Sequence, residues 1–197
     1  MKLLISTRNQ HKLREIREIL DLLDLEILSM DDFPELPEVV EDKDTFAGNA
    51  IKKAETQAAL TGLWVLADDS GLEVDALGGE PGVYSARYAG EAADYAANNR
   101  KLLAELDGVE NRTARFRCVI ALARPGVETE TVEGKCEGKI GFTLCGDNGF
   151  GYDPLFVPEN YNLTFAELDA DTKNSISHRG MALKAARQTW WGGCSER

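Results

Sequence analysis

Short unbroken apolar runs alternate along this chain with stretches in which apolar residues return every three or four positions. Leu3-Leu4-Ile5 is the first run and predicts a short buried strand. Ser6-Thr7-Arg8-Asn9-Gln10 is the polar turn after it, and Leu13, Ile16, Leu20 and Leu23 then recur at helical spacing with Lys12, Arg14, Glu15 and Glu18 between them. Residues 31–44 are acidic, carry Pro34 and Pro37, and read as a loop. Residues 45–60, rich in Ala and Lys, predict a second helix with Thr45 as N-cap and Gly62 as its stop.

Residues 63–67 are an apolar strand that ends on Asp68-Asp69-Ser70-Gly71. Gly78-Gly79-Glu80-Pro81-Gly82 is a turn, and residues 92–106 are a helix with Leu102, Leu103 and Leu106 on its apolar side. Residues 113–123 form a strand that alternates at first, Phe116 and Cys118 against Arg115 and Arg117, and then becomes wholly apolar, so it runs into a buried end. Residues 129–137 alternate too and suggest an antiparallel partner. Gly149-Phe150-Gly151-Tyr152-Asp153-Pro154 is a turn before Leu155-Phe156-Val157, and the last helix starts near Ser177. The tail from Trp190 has no pattern. Strand–helix, helix–strand and then paired strands indicate an α/β fold around a long mixed sheet with flanking helices. Two lobes on such a sheet would leave a central cleft, the natural place for a ligand.

Composition narrows the class. Hydrophobic residues are 43% and charged residues 28% of the 197, near globular averages, so a packed core is expected and disorder is not. The length fits a single domain, residues 1–197, two-lobed and without a linker. A net charge of −12 argues against a nucleic-acid polymer as partner, which needs clustered Lys and Arg, but leaves room for a small nucleotide with a few local cations and a metal. Four cysteines without a CxxC pair and only two histidines argue against zinc. With no apolar signal core after Met1-Lys2 and no span of ~20 apolar residues, neither export nor a membrane is expected, and a reducing cytoplasm is the simple reading.

Four fragments carry candidate chemistry. Thr7-Arg8-Asn9-Gln10-His11-Lys12 lies between a strand and a helix N-terminus, where unpaired N–H groups and a partial positive charge suit phosphate; without a GxxxxGK[ST] run it is not a Walker loop. Asp68 and Asp69 at a strand end would repel each other unless a cation accepts them, and hard oxygen ligands suit Mg²⁺; one of them could take a proton from water, and Glu41 could add a ligand. Phe150, flanked by glycines, offers a face for stacking on a nucleobase. Lys173, Ser177, His178 and Arg179 gather around the last helix N-terminus, and Lys173 and Arg179, which only donate, suit a purine with oxygen at C6 and oppose the amino group of adenine. Each fragment alone also has an ordinary structural reading: a capped helix start, a solvated Asx turn, an aromatic turn, a capped helix with surface cations.

With those residues in place the chain resembles the inosine triphosphate pyrophosphatase family, whose bacterial members are called dITP/XTP pyrophosphatases. The resemblance runs from Leu3 to about Arg187. It rests on Thr7-x-Asn9-x-x-Lys12-x-x-Glu15, Thr45-Phe46-x-x-Asn49-Ala50-x-x-Lys53-Ala54 and Ala67-Asp68-Asp69-Ser70-Gly71-Leu72-x-Val74-Asp75-Ala76-Leu77. Pro81-Gly82-Val83-Tyr84-Ser85-Ala86-Arg87-Tyr88, Gly149-Phe150-Gly151-Tyr152-Asp153-Pro154 and Ser175-Ile176-Ser177-His178-Arg179-Gly180 complete it.

The resemblance implies a two-lobed fold, a homodimer, and Mg²⁺-dependent cleavage of purine nucleoside triphosphates carrying hypoxanthine or xanthine between the α- and β-phosphates. Carried over by position, Thr7, Arg8, Asn9, Gln10, His11, Lys12 and Lys53 would hold phosphates, and Asp69 would be proton acceptor and metal ligand, with Glu41 a second ligand. Ser70, Phe150, Gly151, Tyr152, Asp153, Lys173, His178 and Arg179 would bind substrate. Gly48 departs from the family, which often has Glu there, and removes one carboxylate from the metal region. Three rivals stand beside this reading: a pyrophosphatase for modified pyrimidine nucleotides, a non-catalytic nucleotide sensor, and, against the charge, a nucleic-acid-binding protein.

Overall fold

The computed structural model describes residues 1–21, 25–90 and 94–192. Leu23, residues 92–93 of the third predicted helix, Cys194 and the rest of the tail beyond 192 lie outside the described residues. The helices and strands run β1 (Lys2–Ile5), α1 (Gln10–Leu20), β2 (Glu26–Ser29), α2 (Phe46–Thr61), β3 (Trp64–Val74), α3 (Tyr95–Glu105), β4 (Thr113–Arg124), β5 (Val127–Ile140), β6 (Phe156–Pro158), α4 (Ala170–Ile176) and α5 (His178–Trp190). The six strands form one mixed sheet in the order β2-β1-β3-β4-β5-β6. β1 pairs parallel with β2 and β3, and β5 pairs antiparallel with β6. β4 and β5 are neighbours joined only by Pro125-Gly126, a connection short enough for antiparallel strands alone.

The chain divides into two compact units. The first holds Met1–Asp69, Cys118–Gly134 and Arg179–Arg197. Its core is made by Leu3 and Ile5 of β1, Leu13, Ile16 and Leu20 along one face of α1, Cys118, Ile120 and Leu122 of β4, and Ala182, Leu183 and Ala186 of α5. The second holds Ser70–Arg117 and Lys135–His178. There Leu72 and Val74 pack with Leu102 and Leu106 and with the rings of Phe116, Phe156 and Phe165, whose centroids lie 4.8 to 5.9 Å apart.

Local chemistry explains the helix ends. Asn9 caps α1 by accepting from the N–H groups of His11 and Lys12. Thr45 caps α2 through Gly48 N–H at 3.0 Å, and Gly62, at φ +69°, ends it in the left-handed conformation that glycine adopts freely. Asp94 and Asp169 cap α3 and α4 in the same way.

One expectation needs correction, and two elements carry no clear mark in the sequence. β3 does not stop before Asp68-Asp69-Ser70-Gly71 but runs through it to Val74. Polar and glycine residues weaken a strand where they face water, whereas here both carboxylates are buried and their neighbours supply the missing partners. The run Glu26–Ser29 is a strand, unmarked because four residues carry no clear alternation. The last helix starts at His178, next to the expected Ser177, and a separate helix α4 precedes it and carries Lys173. A single turn (Met30–Asp32) also interrupts the acidic loop. Among the described residues, no helix is long and apolar enough to cross a membrane.

Candidate functional site

In the first unit, the turn after β1 is tethered to β3 by Ser6 N–H on the Leu66 carbonyl at 2.8 Å. Thr7 Oγ1 accepts from Asn9 N–H, and Asn9 in turn covers the first free donors of α1. His11 is the second residue of that helix. Arg8 and Gln10 are already engaged with the acidic segment: Arg8 donates to the Leu36 carbonyl and Gln10 to Asp31, both at 2.9 Å. Gln57 and Lys52 on α2 hold the same segment at the Pro37 and Val40 carbonyls. Residues 31–44 are therefore a strap fastened to two helices, and Glu41 lies on it.

Asp68 and Asp69 are consecutive on β3, so their side chains leave opposite faces of the strand. Asp68 meets Lys12 Nζ at 3.0 Å and accepts from Nε and Nη2 of Arg179 at 3.3 and 3.1 Å. Arg179 also donates from Nη1 to Glu15 at 2.5 Å. Burial opposes the charge on Asp68, but Lys12, Arg179 and Lys53 outweigh it and hold the carboxyl far below its ordinary value.

On the other side, Lys53 Nζ donates to Glu41 at 2.5 Å and to the Asp68 carbonyl at 2.7 Å, and lies 3.7 Å from Asp69 Oδ1. Asp69 Oδ2 accepts from Asn49 Nδ2 at 3.0 Å. Burial pushes the Asp69 carboxyl up, and Lys53 and Lys12 offset this only in part. Glu41 is lowered despite its burial, because Lys53 faces it. Two hard carboxylates thus converge on one ammonium, a place that demands positive charge and whose oxygen donors fit a divalent cation. Among the described residues, no group of three or more His, Cys, Asp and Glu side chains gathers as a ready-made metal cage. Mg²⁺ needs none, since it uses one or two carboxylates with substrate phosphate and water.

In the second unit, Gly149 and Gly151 take φ of +74° and +65° around Phe150. A side chain on Gly149 would run into Asp153, so the turn closes only with glycine there. Asp153 Oδ2 accepts from Phe150 N–H at 2.8 Å and from Lys173 Nζ at 2.7 Å. The Lys173 ammonium lies 5.2 Å from the centre of the Phe150 ring. The ring of Tyr95 of α3 lies 6.1 Å from the same ring, tilted to it by 48°, and Asn99 donates to the Gly151 carbonyl. Tyr152 is buried and donates to the Ser85 carbonyl, and His178 stacks on Phe116 at 4.6 Å. Ser70 is half-buried at the start of this unit on β3.

The structure thus gathers Lys12, Glu41, Lys53, Asp68, Asp69 and Arg179 in one unit, and Phe150, Gly151, Asp153 and Lys173 in the other. Sequence reasoning missed Glu15, Asn49, Tyr95 and Asn99 as parts of these clusters; Glu15 and Asn49 were visible as motif positions, but nothing local marked what they would bind.

The model of the Ham1 family matches residues 3–189. The chain belongs to the Ham1 family. The dITP/XTP pyrophosphatase of Desulforamulus reducens is 57% identical over 190 residues, covering 95% of this chain and 94% of that protein. The dITP/XTP pyrophosphatase of Bacillus licheniformis is 51% identical over 93% of this chain and 94% of its own. Among solved structures, the Ham1 protein of Staphylococcus aureus superposes with a TM-score of 0.88 at 40% identity, covering 98% of this chain and all of that one. A Mycobacterium abscessus protein described as a nucleoside-triphosphatase / dITP/XTP pyrophosphatase gives 0.78 at 46% identity over 94% of this chain and 98% of its own. Within the Ham1 family match lie both clusters, from Thr7 to Arg179.

Proposed function

We propose that this chain hydrolyses the α–β phosphoanhydride of deaminated purine nucleoside triphosphates, ITP/dITP and XTP/dXTP, to the nucleoside monophosphate and pyrophosphate, removing them from the nucleotide pool. The observation that carries the reading is the convergence of Glu41 and Asp69 on Lys53, beside the Lys12–Asp68 pair, in a chain whose relatives are called dITP/XTP pyrophosphatases.

Glu41 and Asp69 are the proposed Mg²⁺ ligands. The bound ion would supply charge neutralisation and Lewis-acid polarisation of the phosphoryl oxygens. Asp69 is the proton acceptor: burial already shifts it toward accepting a proton, and its position beside Lys53 lets it orient a water. Lys12 and Lys53 exchange their carboxylate partners for phosphate oxygens and neutralise the leaving pyrophosphate, while Thr7, Asn9 and the start of α1 bind the remaining oxygens. Arg8, Gln10 and His11 shape that turn. Arg179 serves by holding Asp68 charged and fixed.

In the second unit Phe150 stacks on the purine. Lys173 and His178 donate to the base, and Ser70, Gly151, Tyr152 and Asp153 form the rest of the substrate surface. Phe150→Ala is expected to raise KM for ITP about 5- to 100-fold with kcat little changed, the range for one lost base–aromatic stack. Steady-state kinetics on ITP checks this, and an unchanged KM would remove the ring from the site.

The chain is further proposed to act as a homodimer in the cytoplasm, supported by the family resemblance and by the free thiols of Cys118, Cys136 and Cys145. Sedimentation equilibrium checks the dimer. The reaction itself is tested by separating the products of ITP with and without Mg²⁺. IMP and pyrophosphate in equal amounts, formed only with the metal, are expected; IDP and phosphate, or no product at all, would overturn the proposal.

A further inference from the structure

We infer that Asn49 is a positioning residue that aims the Asp69 carboxylate and ties it to the strap carrying Glu41. The inference rests on the roles proposed above for those two carboxylates. Asn49 lies in the first turn of α2 and is fully buried. Its Oδ1 accepts from the backbone N–H of Lys43 at 2.9 Å, while Nδ2 donates to Asp69 Oδ2 at 3.0 Å and to the Lys43 carbonyl at 3.3 Å. A backbone N–H can only donate, so the amide oxygen must face Lys43, and the NH₂ group is thereby turned to Asp69.

Two consequences follow from this one side chain. Asp69 has one oxygen fixed by a neutral donor, which sets the carboxylate plane and leaves Oδ1 on the side of Lys53. Lys43, two residues after Glu41, is clamped at both its N–H and its carbonyl, so the strap cannot slide relative to Asp69. Gly48 supports the clamp. A Cβ there would meet Lys43 Cβ at 2.9 Å, so the bare glycine lets the strap pack onto the helix turn closely enough for Asn49 to reach it. A neutral amide does both tasks without placing a second negative charge against Asp69.

The test compares Asn49→Ala and Asn49→Asp with the wild-type chain in two measurements: pyrophosphate release from ITP, and binding of Mn²⁺ to the enzyme alone, read from the free-ion electron paramagnetic resonance signal. Asn49→Ala is expected to lower kcat about 10- to 100-fold with KM little changed, and to weaken Mn²⁺ binding by a similar factor, the usual loss when a group that orients a metal ligand is removed. Asn49→Asp keeps the shape and the Lys43 acceptor but loses the donor to Asp69. It also sets a second buried carboxylate against Asp69, so a lower melting temperature is expected together with a loss of kcat of about tenfold or more in the folded protein. Wild-type kcat in a folded Asn49→Asp, or wild-type kcat and Mn²⁺ affinity in Asn49→Ala, would overturn the inference. Should the wild-type chain release no pyrophosphate from ITP, the functional reading falls, and the Mn²⁺ comparison still decides for or against Asn49.

Discussion

Asp69→Asn is expected to lower pyrophosphate release from ITP by at least about 100-fold, the low end for a lost general base. The substitution keeps size and shape, and its carbonyl oxygen can still accept from Asn49 Nδ2. What it removes is the ability to take a proton and the negative charge that faces Lys53 at 3.7 Å. Lys12 and Lys53 keep their positive charge, so the triphosphate should still bind. The expected signature is a large fall in kcat with the dissociation constant for a non-hydrolysable ITP analogue little changed, measured by calorimetry. Turnover like that of the wild type would remove Asp69 from the chemistry. Loss of analogue binding with no separate loss of kcat would make it a binding residue instead.

Arg179→Leu is expected to have the largest effect on stability. The guanidinium, 2% exposed, holds two carboxylates that are themselves buried, Glu15 and Asp68. Removing it leaves Glu15 without that partner and takes both guanidinium hydrogen bonds from Asp68, which keeps Lys12 at 3.0 Å. Breaking a buried ion pair from one side costs about 3–5 kcal/mol, so the melting temperature should fall by about 6–20 °C for a chain of this size. Arg179→Lys should recover only part of this, because one ammonium cannot reproduce the fork that meets both acids. The sign of the pH dependence follows from Asp68. Its carboxyl is held below its unfolded value, so its ion pairs contribute fully above the ordinary carboxylate range and fade as the pH falls below it. Scanning calorimetry on both variants decides the matter, and a melting temperature unchanged in Arg179→Leu would show that the guanidinium does not stabilise the two acids.

What the sequence revealed and what it hid divide along the range of the interactions. β1, the Asn9 turn, α1, the Thr45 cap and the Gly62 stop were legible because each is set by residues within a few positions of one another. The long β4 showed its buried end in the apolar run from Val119 to Ala123. The continuation of β3 through Asp68 and Asp69 was hidden, because a buried carboxylate in a strand makes sense only with its partners, and those sit on α1, α2 and α5. Arg179 shows the same limit: its partner Glu15 is 164 residues away, and a motif match names the residue without naming the contact. Asn49 was likewise visible only as a motif letter. Lys53 was assigned to phosphate by resemblance, and the structure adds that it rests between two acids.

The chain is expected to tell a 6-oxopurine triphosphate from an adenine one and to cut it to the monophosphate. The most direct measurement is kcat/KM for pyrophosphate release from ITP, XTP, GTP and ATP side by side with Mg²⁺. ATP is expected to trail ITP and XTP by about 100-fold or more, because donors that meet a C6 oxygen oppose an amino group. Equal rates on all four, or a preference for ATP, would contradict this.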